Sequence, residues 1–599
     1  MLIRFTIALR FVVVLLIAIV PYVAVQAAPQ HVVSPSPSAA NDCLSTLQFG
    51  DTVLCSLTVA SEVDQFTFLA TAGDHIVVRM ASRTTGVEPQ LRVVSPSAIT
   101  VCQTQSYNAA VDVDTCAIPT SGTYTILVND YTGGNTGNYG LSLQRLNTPV
   151  NELSLNYGQT NAAALIAPGE IDAYTIRITN SNDMLFLRMG VTTTGMRPYV
   201  RLYGADGTKY CEASSYGAIA DLLTCPPLAE GTYTLIVTTF ADNSTGNYSL
   251  ALQRTNNPSN TTALSFGLPR TATLAAAAEV DTYTFTGTAN DTVIVRMGSG
   301  TSALKPLIRL YSPTGVKLCE AYSYSTAGEL GPCLLPATGT YVVLLTTLND
   351  IATGSYGVTI QRVNRPSAAT PLPAGITTSS TLTTTGQLAT ATFTAISGDA
   401  IYLRLGTTSS SFKPQVRIFG DDGAKLCEAY SYSYTTQIAS CLMPRTGIYT
   451  VIVNALNTAD VGGYSITMQR INQPEQAGIV YARRAVSGTF TSAGDIDTYS
   501  FTGQGNSSVL IRMSTTTSPV SPLVQLFSRD GTRLCAADSY SATAEISTCL
   551  LPSDDDYTVI ATSRDGGVSG YNLTLTCLSE TCTVGQPPEE HLYLPFAIR

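Results

Sequence analysis

Three kinds of side chain recur in this sequence at spacings that could do chemistry: cysteines, paired carboxylates and tyrosines. Cysteines stand fourteen positions apart at Cys102/Cys116, Cys211/Cys225, Cys319/Cys333, Cys427/Cys441 and Cys535/Cys549. Thiols so placed can close a disulfide or hold a metal, and the absence of any C-x-x-C pair favours the disulfide. The other four cysteines lie near the two ends, with Cys43–Cys55 and Cys577–Cys582 as the expected pairs. A bridge closing a loop of this length stabilises the fold by about 3 kcal/mol in the chain-entropy description.

The carboxylates come as i, i+2 pairs: Glu62 with Asp64, Glu170 with Asp172, Glu279 with Asp281, and Asp495 with Asp497. On a strand, residues two apart share a face. Each pair could therefore offer two oxygens to a hard cation, and Ca²⁺ is the cofactor they suggest. The competing reading pairs the second acid with a strand arginine, the candidates being Arg79, Arg188, Arg296 and Arg512. One segment acts as an internal control. Gln387-Leu388-Ala389 replaces the acids while Arg404 stays, which an obligatory Asp–Arg pair would not allow.

Tyr107, Tyr216, Tyr324, Tyr432 and Tyr540 each follow a serine, five positions after a first cysteine. Such a tyrosine can face a ligand on a stapled loop or cover the disulfide and pack an edge, and recurrence in every copy favours packing. Residues that differ between copies report specialised binding better. Tyr434 and Asp538 are such residues, and the loop of the most aromatic copy, with Tyr430, Tyr432 and Tyr434, is the best candidate contact site. Catalytic groups are scarce. Of three histidines, His31 and His591 flank the repeats, and His75 aligns with Met184, Thr292 and Ala400 in other copies. H-E-x-x-H and G-x-S-x-G are both missing, so no enzyme is expected.

The elements that must position these groups form a fivefold repeat. Successive first cysteines are 109, 108, 108 and 108 residues apart, a domain-sized period. The units are expected at 43–149, 150–258, 259–366, 367–474 and 475–582, marked by Gln-Arg-x-Asn-x-Pro at 144–149, 253–258, 361–366 and 469–474. Within a unit the apolar period is two, as in Asp281-Thr-Tyr-Thr-Phe285, with further strand signals from Val293 to Met297, Pro306 to Tyr311, Thr340 to Leu345 and Tyr356 to Gln361. Short strands between turn signals, with no helical period, predict an all-β chain: five tandem antiparallel β-sandwich domains, each with one internal disulfide.

Composition bounds the function. Charged residues make up 12% and the net charge is −10, so no basic stripe exists for nucleic acid. Residues 1–27 carry Arg4 and Arg10, an apolar run and a small-residue cleavage site, the layout of a signal peptide. A flexible leader at 28–42 and a tail at 583–599 flank the repeats, and no transmembrane span is expected in the mature chain. The protein is expected to be secreted or held at the cell surface.

The order D-x-[YF]-x-[FI], an apolar-Arg-Met strand, P-x-[LIV]-R-[LIV]-Y, L-P-x-x-G-x-Y and G-x-Y resembles the bacterial pre-peptidase C-terminal domain. The resemblance implies a secreted jelly-roll-like sandwich of the kind appended to extracellular peptidases, although no peptidase domain precedes these repeats. The ending Tyr593-Leu-Pro-Phe-Ala-Ile-Arg599 resembles a short tail of exported proteins from Chloroflexi-type bacteria. Together these readings give a non-catalytic spacer and multivalent binding or adhesion array, its partner an extracellular polymer or surface protein. The alternative is an accessory component of an extracellular peptidase or other hydrolase system.

Overall fold

The computed structural model describes residues 32–33 and 45–579, except 224, 349–350, 457 and 518–519. The signal peptide, most of the leader, the tail, Cys43, Cys582, His31 and His591 lie outside the described residues. Ten sheets, two per repeat, account for the fold.

The third repeat shows the plan. Its strands are β1 (Thr262–Ala263), β2 (Arg270–Leu274), β3 (Asp281–Gly287), β4 (Thr292–Ser299), β5 (Pro306–Tyr311), β6 (Lys317–Tyr322), β7 (Ala327–Leu334), β8 (Gly339–Thr347) and β9 (Gly354–Arg362). One sheet runs β1-β3-β8-β5-β6 and the other β2-β9-β4-β7. Every pairing is antiparallel except β1 with β3. Val293, Val295, Met297, Ile308, Leu310, Tyr341, Val343 and Leu345 meet between the sheets. Tyr341 donates to the Ala337 carbonyl, 2.5 Å away, so the L-P-x-x-G-x-Y segment ties a loop corner to a core ring.

The segment between the paired cysteines is more ordered than its sequence suggested. It forms the edge strands β6 and β7, one in each sheet. The Cys319–Cys333 bridge, with Cα atoms 6.5 Å apart, therefore staples one sheet's edge to the other's. Cys102–Cys116, Cys211–Cys225, Cys427–Cys441 and Cys535–Cys549 do the same in the other repeats. Cys55 and Cys577 are also disulfide-bonded.

The boundary motif is structural. The Gln361 amide donates to the Ser367 carbonyl and, across the junction, to Thr390 Oγ1, both at 2.9 Å. Asn364 Oδ1 accepts from the first amide of β4, at Thr292, over 3.1 Å. Asn147, Asn256 and Asn472 make the same bond to His75, Met184 and Ala400. The turn that ends each of the first four repeats is thus pinned to its own repeat and to the next.

Candidate functional site

β4 explains what the repeats do to one another. All eight of its residues are buried, because alternate side chains enter two different cores. Val293, Val295 and Met297 face their own sandwich, whereas Ile294 packs with Val363 against Leu388, Phe419 and Ile452 of the fourth repeat. Equivalent clusters join Val77 to Tyr203 and Ile236, Phe186 to Tyr311 and Leu344, and Tyr402 to Phe527 and Ile560. Each fully buried aliphatic side chain at such a joint contributes about 1.5–3 kcal/mol.

The strand arginine sits on that same outward face, and its partner is not the second acid of the pair. Arg79, Arg188 and Arg296 pair with Asp112, Asp221 and Glu329 on the neighbouring strand, at 2.8, 3.0 and 3.3 Å. Arg404 meets Gln437 at 3.2 Å. The other guanidinium nitrogen crosses the joint. Arg79 and Arg188 donate to the carbonyls of Thr239 and Thr347 at 2.6 Å, and Arg296 and Arg404 reach those of Ala455 and Ser563. Arg404 therefore persists without an Asp pair because its main task is the bond into the fifth repeat. Arg512, which meets no following repeat among the described residues, is 56% exposed and lies 3.7 Å from Glu545.

At three joints the carboxylate is shared by two arginines. Arg201 lies 3.6 Å from Asp112 and 2.7 Å from Asp114; Arg309 lies 2.8 Å from Asp221; Arg417 pairs with Glu329. Burial alone would push the Glu329 carboxyl up, but Arg417 and Arg296 overcome it and hold the group below its usual range. The fourth joint lacks the carboxylate and the second arginine, leaving Arg404 against Gln437. Gln525 stands where the other repeats carry Arg201, Arg309 and Arg417, and the Tyr402 hydroxyl lies 2.6 Å from Gln437 and 2.9 Å from Gln525.

The paired acids do two different jobs. The first caps its own turn: Glu279 accepts from the amides of Ala275 and Ala276, at 2.5 and 2.8 Å, and Glu62, Glu170 and Asp495 act alike. Gln387 does the same from Thr383 and Thr384, so an amide oxygen serves in the fourth repeat. The second acid accepts from a core tyrosine: Asp64 from Tyr139, Asp172 from Tyr248 and Asp281 from Tyr356 at 2.5 Å, and Asp497 from Tyr571 at 2.7 Å. Burial, only partly offset by the tyrosine bond, pushes Asp64, Asp281 and Asp497 up to about 6. No group of three or more potential His, Cys, Asp or Glu ligands occurs among the described residues. At least one oxygen of each paired acid is thus already engaged within the protein.

The recurrent tyrosines correct the packing expectation. Tyr107, Tyr216, Tyr324, Tyr432 and Tyr540 stand at the tips of the stapled hairpins and are 72–84% exposed. Four lean edge-on against another aromatic ring, namely Tyr131, Phe240, Tyr322 and Tyr430; the guanidinium of Arg564 lies over the fifth. Of the fourth repeat's trio, Tyr430 and Tyr432 form one such pair with centroids 6.1 Å apart. Tyr434 leaves them and lines an open cleft of about 830 Å³ between the fourth and fifth repeats, with Ser380, Thr408, Ser492, Val520 and Asp565. The grooves at the first and second joints are smaller, about 480 and 400 Å³.

His75 has a role too. It packs against Gly207 of the second repeat, where a Cβ would stand 2.2 Å from its Nδ1. The joints were missed from sequence because their partners lie about 160 residues apart. The signal present was the acid or amide 33 positions after every strand arginine.

Residues 279–347 match the model of the bacterial pre-peptidase C-terminal domain. That span runs from the acid pair of the third repeat through β8, so it contains the outward arginine and the stapled hairpin. Among solved structures, the pre-peptidase C-terminal domain of a Bacillus anthracis collagenase is similar at 13% identity, covering 18% of this chain and 99% of that one, with a TM-score of 0.16. The periplasmic inhibitor of g-type lysozyme PliG from Aeromonas hydrophila is similar at 18% identity, covering 17% and 95%, TM-score 0.14. A biofilm-associated protein BSP domain is similar at 9% identity, covering 72% and 95%, TM-score 0.16. No curated protein matches the sequence.

Proposed function

We propose that this chain is an exported, non-catalytic spacer that holds five tyrosine tips in a fixed array for multivalent contact with an extracellular polymer or surface protein. The observation that carries the reading is the combination of joints and tips. Each repeat is bound to the next by an apolar cluster and an arginine-to-carbonyl bond, and each offers the same exposed ring at the same hairpin. Rings of that size left in water favour contact with a partner, and five weak contacts on one chain gain avidity through effective concentration. Export is supported by the N-terminal layout and by the disulfides. The Tyr434 cleft, at the joint where Gln525 stands in place of an arginine, is the first region to map for a specialised contact. An accessory role beside an extracellular peptidase or other hydrolase is the second reading, favoured only by the company the matching domain keeps.

The test compares the mature chain with a variant carrying Tyr→Ser at all five tips in binding to envelope and matrix polymers. The substitutions should leave melting unchanged because the rings are exposed. Retention should fall by about 100-fold or more if five contacts act together. Equal retention by both proteins sinks the array, and hydrolysis of a broad substrate panel by the purified chain sinks the non-catalytic reading.

A further inference from the structure

The end faces of the stack keep the polar half of a joint. Arg512 and Glu545 remain on the fifth repeat. On the first, Asn129 donates to Gln90 and to the Asp130 carbonyl, both at 2.9 Å. Asn454 makes the same two bonds, to Gln415 and the Ala455 carbonyl, on the face that receives Arg296. Asn454 Oδ1 also accepts from Arg417, whereas the equivalent oxygen of Asn129 is buried without a partner. A second copy could find much of its charge pattern already in place, Glu545 opposite Arg92.

The steric half of the joint has been removed. Within each repeat two facing strand residues abut a turn of the following repeat: Ala81 with Gly140, Gly190 with Ser249, Gly298 with Gly357, and Gly406 with Ser465. Every pair contains a glycine, and there is no room for more. A Cβ at Gly140 would stand 1.8 Å from the Pro168 carbonyl oxygen, one at Gly357 1.9 Å from that of Thr385, and one at Gly298 2.3 Å from the Gly386 nitrogen. The fifth repeat carries Ser514 opposite Asn572. On the receiving side, Gly207, Gly315, Gly423 and Gly531 each touch the strand start of the repeat before, with an added Cβ falling 2.2–2.8 Å away. The first repeat has Ala98 there, at a φ of 60° that glycine would accept more readily. Its abutting turn carries Ser61, where later repeats have Gly169, Ala278, Gly386 and Gly494.

We infer that Ser61, Ala98, Ser514 and Asn572 are end caps, which stop a second copy of this chain from extending the stack head to tail. The two faces are different surfaces, so an uncapped contact is heterologous and builds open filaments rather than closed dimers. The caps confine stacking to the five repeats and leave lateral surfaces for partners.

Sedimentation of the mature chain tests this across concentrations up to about 1 mM, a range that reveals even millimolar affinities. The natural chain should stay monomeric. The fourfold variant S61G/A98G/S514G/N572G should form concentration-dependent chains visible by electron microscopy. Adding Glu545→Arg should abolish them, and adding Arg92→Glu as well should restore them. Filaments from the natural chain, or a folded fourfold variant with unaltered circular dichroism that stays monomeric, would overturn the inference. So would association released merely by shortening the natural chain to residues 43–582, which keeps every cysteine, because the flanking segments would then be the barrier.

Discussion

Three of the four joints are built around a buried charge cluster, and the fourth does the same job without one. Where Glu329 lies between Arg296 and Arg417, the equivalent space one repeat later holds Gln437, Tyr402 and Gln525. The apolar surroundings match, with Ile294, Phe419 and Ile452 at one joint and Tyr402, Phe527 and Ile560 at the other. The comparison teaches that the charge is interchangeable while the arginine bond to the next repeat's main chain is retained at all four. Buried ion clusters are expensive to desolvate and give little net stability over a well-packed neutral set. They are nonetheless brittle, because losing one member strands the others.

The largest effect should therefore come from Glu329→Ala, which leaves two buried guanidinium groups facing each other. We expect a loss of about 3–5 kcal/mol at that joint. Gln437→Ala at the fourth joint should cost only about 1–3 kcal/mol, the penalty for unmade hydrogen bonds. Because the chain contains five domains, amide hydrogen exchange at the Ile294 and Tyr402 strands is the proper measure, rather than one melting temperature. Equal losses at the two joints would break the comparison.

A transplant sharpens it. Ile294→Tyr, Glu329→Gln and Arg417→Gln together copy the fourth joint's arrangement into the third. Hydrogen exchange should return to within about 1.5 kcal/mol of the natural chain, since removing an oppositely charged buried pair together is close to even. Failure of the triple variant to recover beyond Glu329→Ala would show that the surroundings, not the charges, differ.

Acid should separate the regions in opposite directions. Glu329 is held low in the folded joint, so its contribution is present above the ordinary glutamate value of about 4.3 and is lost as pH falls through the lower folded value. Asp64, Asp281 and Asp497 are raised to about 6. Their contribution is full below the unfolded value of about 3.9 and disappears as pH rises through 6. Between these limits the sandwiches of the first, third and fifth repeats should weaken with rising pH, while the fourth, with Ala389 at that position, should not share this effect. Hydrogen exchange between pH 4 and 7 reads this, and Asp281→Asn should flatten the response of the third repeat alone.

The smallest effects belong to groups outside the joints. Arg512→Ala should change stability by less than about 0.5 kcal/mol, as for other exposed positions, whereas Arg188→Ala should open the second joint. Calcium should leave melting unchanged in every repeat, the acid pairs being engaged by turn amides and tyrosines. A Ca²⁺-dependent rise confined to repeats that have both acids would restore the cation reading.

Much of a single repeat was legible in its residues. The cysteine spacing gave the staples, and the alternation of Tyr283 and Phe285 gave β3. What lay between repeats was not, for a physical reason: sheet-to-sheet contact brings Ile294 against Ile452 with no local spacing to announce it. The clue in hand was the unbroken apolar run around β4, which fits a strand covered on both faces. Its counterpart in the fifth repeat, Ser508–Thr515, alternates in burial instead. The function of the acids was obscured because oxygen atoms serve turn amides, phenols and cations alike, and the sequence shows only that oxygens are present. The hairpin tyrosines misled for another reason, since recurrence marks a position as important without saying whether it faces inward.

The crossing arginines end on main-chain oxygens, and the residues that own those oxygens are Thr239, Thr347, Ala455 and Ser563. A carbonyl group is common to every amino acid, so the socket survives any substitution that preserves the strand. For this bond a duplicated unit can be inserted or removed without inventing a matching partner, whereas the carboxylate beside it still has to meet an arginine. Lengthening or shortening such an array by whole repeats asks for no new recognition chemistry, only for the capping residues to stay at its ends.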